Sequence, residues 1–182
     1  MAKLAAYKYS EALFELAVEL GQTDEFYDEA GVVIEAFSEN SEIDKLLNHP
    51  KVSKEEKEQF IEKSFGGFLS KEITGLLVLM VSKDRQRYIR ETLSVFREKV
   101  LDYKKIGTAY VRTAAPLSEE QKEKLVERLL ATTDYREFHM NYIVEPELIG
   151  GMIIRIKDRV VDSSIKTKLD ELARNLKKIQ LV

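Results

Sequence analysis

The chain has 182 residues, of which 44% are hydrophobic and 34% are charged, and its formal net charge is -3 at pH 7. This balance is typical of a soluble, helix-rich globular protein with one domain or two small ones, and it excludes a disordered chain. It provides no general electrostatic attraction to nucleic acid or anionic lipid. No cysteine is present, which excludes disulfides and thiolate metal sites.

The sequence also carries no targeting or membrane-spanning signal. Its longest purely apolar run covers residues 76–81, whereas a transmembrane helix needs about 20 residues. The N-terminal segment lacks the pattern of a signal peptide and is too acidic for an ordinary transit peptide. We therefore expect no direct membrane insertion, and we expect the protein to stay in the compartment where it is made.

Residues 1–105 are predicted to form a six-helix bundle. Apolar residues recur at helical spacing in successive short segments that are joined by short connections. Thr23 or Asp24 is the expected cap of the second helix. Ser53 and Glu56 have the spacing of a capping box, which begins the fourth helix.

Residues 106–182 are predicted to form a smaller module with the element order β-α-β-β-β-α. Strand character is clear at 107–113 and at 138–144. Ser118 and Gln121 form a second capping box between them, which begins a helix. The predicted fold class is therefore α+β, with an N-terminal six-helix bundle followed by a small C-terminal α/β module that contains a β-hairpin.

The segment 148–172 is the most informative part of the chain. Gly150 and Gly151 lead into apolar residues that alternate with a period of two, which indicates a strand. Lys157 and Asp158 then lie between two strand-forming runs, as the residues of a tight hairpin turn do.

A helix is predicted after this hairpin. Asp162, Ser163 and Ser164 can all accept hydrogen bonds from the first free amides of a helix, and Ser163 is the expected cap. The following apolar residues repeat at helical spacing and form a stripe: Ile165, Leu169, Leu172, Ala173 and Leu176.

The first and fifth helices carry more apolar residues than one core-facing stripe requires. The additional residues are Tyr7, Tyr9, Ala12, Phe14 and Val18 on the first helix, and Val78 and Leu79 on the fifth. Two interpretations stay open. Either both helices are central in the bundle and covered on all sides, or a groove between them receives an amphipathic helix of a partner. The small residues Ala12 and Gly75 would let such a helix approach closely.

No motif for phosphate binding or catalysis is convincing. Ser163 and Lys166 fit the S-x-x-K pattern, but its companion motifs are missing. Asp158 and Asp162 could pair as acid and base, although a turn and a helix start explain both. We therefore expect no enzyme and no cofactor.

Candidate ligands for metal or phosphate are equally weak. His49 and His139 are far apart, and neither has a metal-ligand spacing. The basic residues within 83–90 could contact phosphate, but acidic neighbours favour a solvated or partner-facing surface. We therefore expect no metal site.

In two motifs and in the order of its elements, the chain resembles the delta subunit family of bacterial F-type ATP synthases. The mitochondrial counterpart of that subunit is the oligomycin sensitivity-conferring protein. The first motif is YKYSEALFELAVE on the first helix. The second is the C-terminal block, with Gly150, Gly151, Asp158, Asp162 and Ser164. The resemblance covers nearly the whole chain. One departure is Lys157, where the family usually has glycine before the turn aspartate.

The resemblance implies a non-catalytic stator subunit of a proton-translocating ATP synthase, without cofactor or metal. The bundle, 1–105, would bind the N-terminal helix of an alpha subunit on the catalytic head. The module, 106–182, would bind the C-terminal ends of the b subunits of the peripheral stalk. The groove between the first and fifth helices would supply the alpha-subunit contacts: Tyr9, Ala12, Leu76 and Leu79.

In this role the protein would hold the head still while the central rotor turns. The resemblance places it as a monomer within the complex, peripheral to the cytoplasmic face of the bacterial cell membrane. It would not bind nucleic acid.

Two other classes of function are less consistent with the sequence. A helical adaptor in a nucleic-acid complex would suit the fold class, but the acidic balance and the lack of aromatic residues among the basic ones argue against it. An enzyme with an unrecognised site would need polar groups that converge in a pocket, and the sequence indicates none.

Overall fold

The structure is a computed structural model that describes residues 2–179 of the backbone. The chain divides into two compact units, the first ending at Leu101 and the second beginning at Asp102. Each unit has its own hydrophobic core.

The described part of the first unit is helical. Its elements are α1 (Ala2–Leu20), α2 (Thr23–Glu39), α3 (Ser41–Leu47), α4 (Lys54–Phe65), α5 (Lys71–Ser82), a short 3-10 helix (Gln86–Tyr88) and α6 (Ile89–Tyr103). All six α-helices contribute buried side chains to one core. Examples are Leu13, Phe26, Leu47, Ile61, Leu77 and Phe96.

Side-chain caps fix the starts of α4 and α5. The Ser53 hydroxyl accepts from the Glu56 N–H, and the Glu56 carboxylate accepts from the Ser53 N–H. The capping box predicted at this position is therefore confirmed. At the start of α5, the Ser70 hydroxyl accepts from the Ile73 N–H.

The cap predicted for α2 is wrong. Thr23 and Asp24 both lie inside the first turn, and the N-cap residue is Gln22, whose side chain caps no backbone amide. The link from α1 is too short to place Thr23 outside the helix, because the Gln22 N–H already donates to the Ala17 carbonyl at 2.9 Å. The Gln22 amide donates instead to the Glu25 carboxylate at 3.0 Å.

The second unit contains a four-stranded sheet with the order β2-β1-β3-β4. Its elements are β1 (Ile106–Thr113), α7 (Glu119–Thr132), β2 (Glu137–Val144), a 3-10 helix (Pro146–Leu148), β3 (Met152–Ile156), β4 (Arg159–Asp162) and α8 (Ile165–Ile179). β1 is parallel to β2 and antiparallel to β3, and β3 is antiparallel to β4. The chain is therefore α+β, with a mixed sheet.

α7 connects the parallel pair β1 and β2, as a crossover helix must. The capping box predicted at its start is confirmed, because Ser118 and Gln121 exchange side-chain and backbone hydrogen bonds. One core joins this helix to the sheet: Ala109, Val111, Leu125, Leu129 and Phe138. This core covers strands β1 and β2 more fully than the hairpin formed by β3 and β4. Every residue of β4 is exposed.

Candidate binding surfaces

Among the side chains of α1 that the structure describes, from residue 5 onward, the buried ones lie on one narrow side. The buried residues follow one another every three or four positions: Ala6, Ser10, Leu13 and Ala17. Tyr7, Ala12 and Val18, on the other sides, are exposed within the described part of the chain. The interpretation in which α1 is covered on all sides therefore does not hold for the first unit by itself.

α5 has a similar excess of apolar surface. Its buried residues are Ile73, Leu77, Met80 and Val81, whereas Leu79 is 44% exposed. Leu76 is partly buried and packs against the core. Gly75 is exposed, and a Cβ atom added to it would meet nothing within 4 Å. The exposed side of α5 therefore combines an apolar side chain with open space beside the helix backbone.

Tyr9 links α1 to the C-terminal end of α5, and the two helices are in contact. Arg85 follows α5 and donates from Nη1 to the Tyr9 hydroxyl at 3.1 Å. Its guanidinium carbon lies 5.4 Å from the centre of the Tyr9 ring, within cation–π range. This contact cannot be predicted from the sequence, because the two residues are 76 positions apart and form no periodic pattern.

Charged residues that follow α5 make other contacts within the first unit. Arg90 pairs with Asp44 at 3.1 Å, and the acidic residue of this segment, Asp84, pairs with Lys54 of α4 at 2.5 Å. Together with the contact between Arg85 and Tyr9, these pairs favour a solvated protein surface over a phosphate site.

The glycine pair lies where two backbone segments of the second unit approach closely. Gly151 has a φ of +74°, and a Cβ atom there would collide with the carbonyl oxygen of Ser163. The Gly150 carbonyl accepts from the Ile165 N–H at 2.9 Å, and a Cβ atom on Gly150 would lie 2.6 Å from Ile165 Cδ1. Gly151 therefore requires glycine if α8 is to start beside β3, whereas the close atom at Gly150 belongs to the flexible end of the Ile165 side chain, which can shift.

Asp162 and Ser164 form the cap of α8. The Ser164 hydroxyl accepts from the Thr167 N–H at 3.2 Å. The Asp162 carboxylate accepts from the Ser164 N–H and from the Thr167 hydroxyl, both at 2.8 Å. The Ser164 N–H is the largest of the influences that lower the pKa of Asp162, and the Ser164 and Thr167 hydroxyls add to it.

The prediction that Ser163 caps α8 is wrong, because Ser163 belongs to the end of the hairpin. Its hydroxyl donates to the Met152 carbonyl at 2.9 Å and accepts from the Met152 N–H at 3.4 Å. The Ser163 N–H also donates to that carbonyl. Since the hydroxyl and the N–H of Ser163 are both bonded to Met152 of β3, the residue that caps α8 is Ser164.

Asp158 is not brought together with the other residues of the C-terminal motif. It lies in the turn between β3 and β4, whereas Asp162 ends β4. Four residues of extended strand span about 13 Å, which is too far for two carboxylates to share a proton. Lys157 precedes it with a φ of +51°, and its Nζ pairs with Asp102 at 2.6 Å.

The apolar stripe of α8 is uncovered within the described residues. Ile165 is 42% exposed, and exposure rises along the stripe to 64% at Leu176. A cleft of about 1230 Å³ is a separate feature of the second unit and lies between α7 and the hairpin. Its apolar lining comes mainly from Leu117, Leu125, Leu129, Met152, Ile154, Ile156 and Val161.

The described residues contain no group of three or more His, Cys, Asp or Glu side chains that could hold a metal ion. Over the same part of the chain, no helix has both the length and the apolar character needed to cross a membrane.

Comparison with known proteins identifies the family. The family described as ATP synthase delta (OSCP) subunit matches residues 5–176, which include most of both units. The chain belongs to this family. The resemblance inferred from the two sequence motifs is thus confirmed. Its role is that of a non-catalytic stator subunit in ATP synthesis and the ion transport coupled to it.

Relatives in the family match along essentially the whole chain. The ATP synthase subunit delta of Lachnoclostridium phytofermentans is 49% identical over 181 residues, which cover 100% of each chain. That of Halalkalibacterium halodurans is 36% identical over 171 residues, 94% of this chain and 93% of the relative. A chain of the Toxoplasma gondii mitochondrial ATP synthase hexamer shares the fold, with a TM-score of 0.74 over 94% of this chain and 96% of that chain at 19% identity.

The same substitution at two glycines should change stability in opposite directions. Gly151→Ala should lower the free energy of unfolding by at least about 1–2 kcal/mol, because alanine is strained at positive φ and its Cβ would collide with backbone. Gly75→Ala should raise it by about 0.5–1 kcal/mol, because alanine favours an open helix position. Urea unfolding followed by circular dichroism measures both. A Gly151→Ala variant as stable as wild type would contradict the close approach.

The cap of α8 should make stability depend on pH. A lowered pKa means that the Asp162 carboxylate stabilises the fold above its unfolded pKa of about 3.9, and that this contribution is lost as the pH falls through the folded pKa. Asp162→Asn should therefore lower the melting temperature at neutral pH, by an amount that shrinks at about pH 3. Asp170→Asn removes a carboxylate from α8 outside the cap and is the control. An equal loss for Asp162→Asn at both pH values would rule out the charged cap.

Proposed function

We propose that this chain links the catalytic head of an F-type ATP synthase to its peripheral stalk. Residues 1–105 act as a six-helix bundle that binds the N-terminal helix of an alpha subunit. Residues 106–182 act as a separate α/β module that binds the C-terminal ends of the b subunits. The protein works as a monomer within the complex, peripheral to the cytoplasmic face of the cell membrane.

The observation that carries the head contact is the uncovered apolar surface on α1 and α5. The two helices are in contact, and both keep apolar side chains exposed after the core is complete. A helix docked along them would cover Tyr9, Ala12, Leu76 and Leu79. Ala12 is small and exposed, and Gly75 faces open space, so the partner helix can approach the backbone of both helices closely.

The stalk contact is supported by the second unit. It leaves the stripe of α8 uncovered, and it also has an apolar cleft beside the hairpin. Monomeric proteins rarely expose such apolar surface without a partner. These surfaces belong to a different unit from α1 and α5, so the two proposed contacts use separate sets of residues.

A stator subunit catalyses no reaction, so its function depends on two interfaces that stay intact under torque. An interface of standard size buries about 1,600 Å² in total, enough for tight association when its centre is apolar and well packed. Uncovered apolar helices provide such centres. The family's non-catalytic role is consistent with this arrangement.

Leu79→Asp should weaken binding of the N-terminal peptide of the same organism's alpha subunit by more than about tenfold. The exposed leucine would lie in the interface, where a carboxylate loses its hydration without a partner. Val32→Asp is the matched control, because Val32 is 53% exposed and lies on α2, which is not one of the two helices that form the proposed groove. Isothermal titration calorimetry on the full chain measures both variants.

The expected result is that Leu79→Asp loses affinity for the peptide and that Val32→Asp keeps the wild-type affinity. Both variants and the wild-type chain should have the same circular dichroism spectrum. Equal affinities for Leu79→Asp and wild type would place the alpha-subunit contact elsewhere. Failure of the wild-type chain to bind the peptide at micromolar concentration would overturn the head contact altogether.

A further inference from the structure

The face of the sheet that carries α7 has room for a second helix. Neighbouring strands lie about 4.8 Å apart and an α-helix is about 10 Å wide, so that one helix covers about two strands. α7 packs on β1 and β2 through the core of the second unit. Beside it, over β3 and β4, lies the cleft of about 1230 Å³. Within the described residues, this half of the face therefore has the width of a helix but no helix on it.

The floor of the cleft is one face of the hairpin. The side chains of β3 that form it alternate along the strand: Met152, Ile154 and Ile156. On β4, Val161 is paired with Ile154 and lines the cleft, whereas its neighbour Val160 lies on the opposite face and does not. Both valines are exposed, so the floor of the cleft is an apolar strip that stays open to water.

α8 begins at one end of this cleft. Gly151 and Ser163 line that end, and α8 starts two residues after Ser163. The residues of the hairpin turn, 157–159, line the other end. β3 has 5 residues and spans about 17 Å, and residues 165–176 of α8 span about 18 Å. The apolar stripe of α8 would therefore run the whole length of the cleft if the helix folded back along the hairpin.

The stripe and the cleft both lack a cover in the structure. The stripe is exposed from Ile165 to Leu176, and no described residue of α8 lines the cleft. Packing one against the other would remove apolar surface of both from water and would stabilise a helix that is marginal alone at about 12–15 residues. Since the helix is tethered at the edge of the cleft, its effective concentration there is in the millimolar range, as for short linkers.

Few bonds hold α8 in its present direction. The Asp162 carboxylate accepts from the Ser164 N–H, and the Gly150 carbonyl accepts from the Ile165 N–H. After Thr167, the described residues of α8 form no hydrogen bond or ion pair with another element of the unit. A change of backbone torsions at a few residues between β4 and α8 would therefore reorient the whole helix, as in other hinges. Strand-to-helix links of two to three residues are long enough to reverse the chain.

We propose that α8 closes over this cleft in the free chain, with its apolar stripe against the hairpin face that carries Ile154 and Val161. The arrangement in the structure is then the open one, which a partner that binds the stripe keeps open. Closure covers both apolar surfaces of the second unit until assembly. It goes beyond the proposed function, because it needs no partner and is tested on the free chain.

The test measures the distance between α7 and α8 in the full chain. The chain contains no cysteine, so that Glu127→Cys on α7 and Arg174→Cys on α8 can carry the two spin labels alone. Both residues are exposed, neither lines the cleft, and Arg174 lies opposite the apolar stripe. Pulsed electron paramagnetic resonance should show a population of chains with a shorter distance between the labels than the open arrangement gives.

Two adjacent valines provide a matched pair of variants. Val161→Glu should reduce the short-distance population by about tenfold or more, because closure would bury a carboxylate without a partner. Leu172→Glu, on the stripe itself, should have the same effect for the same reason. Val160→Glu makes the same change in charge on the opposite face of β4 and should leave the population unchanged. Circular dichroism checks that all the variants are folded.

A short-distance population that Val161→Glu and Leu172→Glu remove, and that Val160→Glu keeps, supports closure. A single population at the open distance, or a short one that persists in Val161→Glu, overturns it. A short distance that disappears when the labelled chain is diluted with unlabelled chain assigns the contact to a second copy and also overturns it. Each of these failures leaves the proposed function intact, because the head and stalk contacts are tested separately by binding.

Discussion

The core of the first unit is filled by side chains from six helices, and it leaves apolar residues of α1 and α5 uncovered. A small core can cover only part of the apolar surface of its helices, and the part that stays uncovered determines where the protein can bind a partner. A helix that is apolar on several sides must find a partner for the sides that its own core cannot reach. The second unit meets the same limit, because its core ends at α7 and the sheet while the leucines of α8 stay open.

The position of α8 depends on a close approach between two backbone segments. Gly151 lies against the Ser163 carbonyl, and Gly150 accepts the first amide of the helix. Ser163 is held by the backbone of Met152, so that the helix begins one residue later, at the cap formed by Asp162 and Ser164. Asp162 and the two serines of this block thus set the residue at which the helix starts.

Features set by neighbouring residues could be predicted from the sequence. The capping boxes at Ser53 and Ser118 depend on residues three positions apart, and both are confirmed. The order of strands and helices in the second unit was also predictable, because strand and helix periods differ clearly. The error at the start of α8 occurred because another strand decides the outcome. Ser163 satisfies the local rule for a cap, but its pairing with Met152 removes it from that position.

The candidate surfaces were only partly predictable for the same reason. The excess of apolar residues on α1 and α5 is visible in the sequence, but their exposure depends on how all six helices pack. The contact between Arg85 and Tyr9 joins segments that no local pattern relates. For α8, the sequence shows the apolar stripe, yet a stripe of this kind is equally compatible with burial in the module. Its exposure becomes evident only in the structure.

The central claim is that one chain joins two partners through surfaces on separate units. It is tested most directly by mixing the full chain with catalytic heads that lack this subunit and with the soluble part of the b subunit, and measuring by sedimentation whether b travels with the head. The account predicts that b sediments with the head only when this chain is present. Sedimentation of b with the head in the absence of this chain, or no bridging by the wild-type chain, would contradict the account.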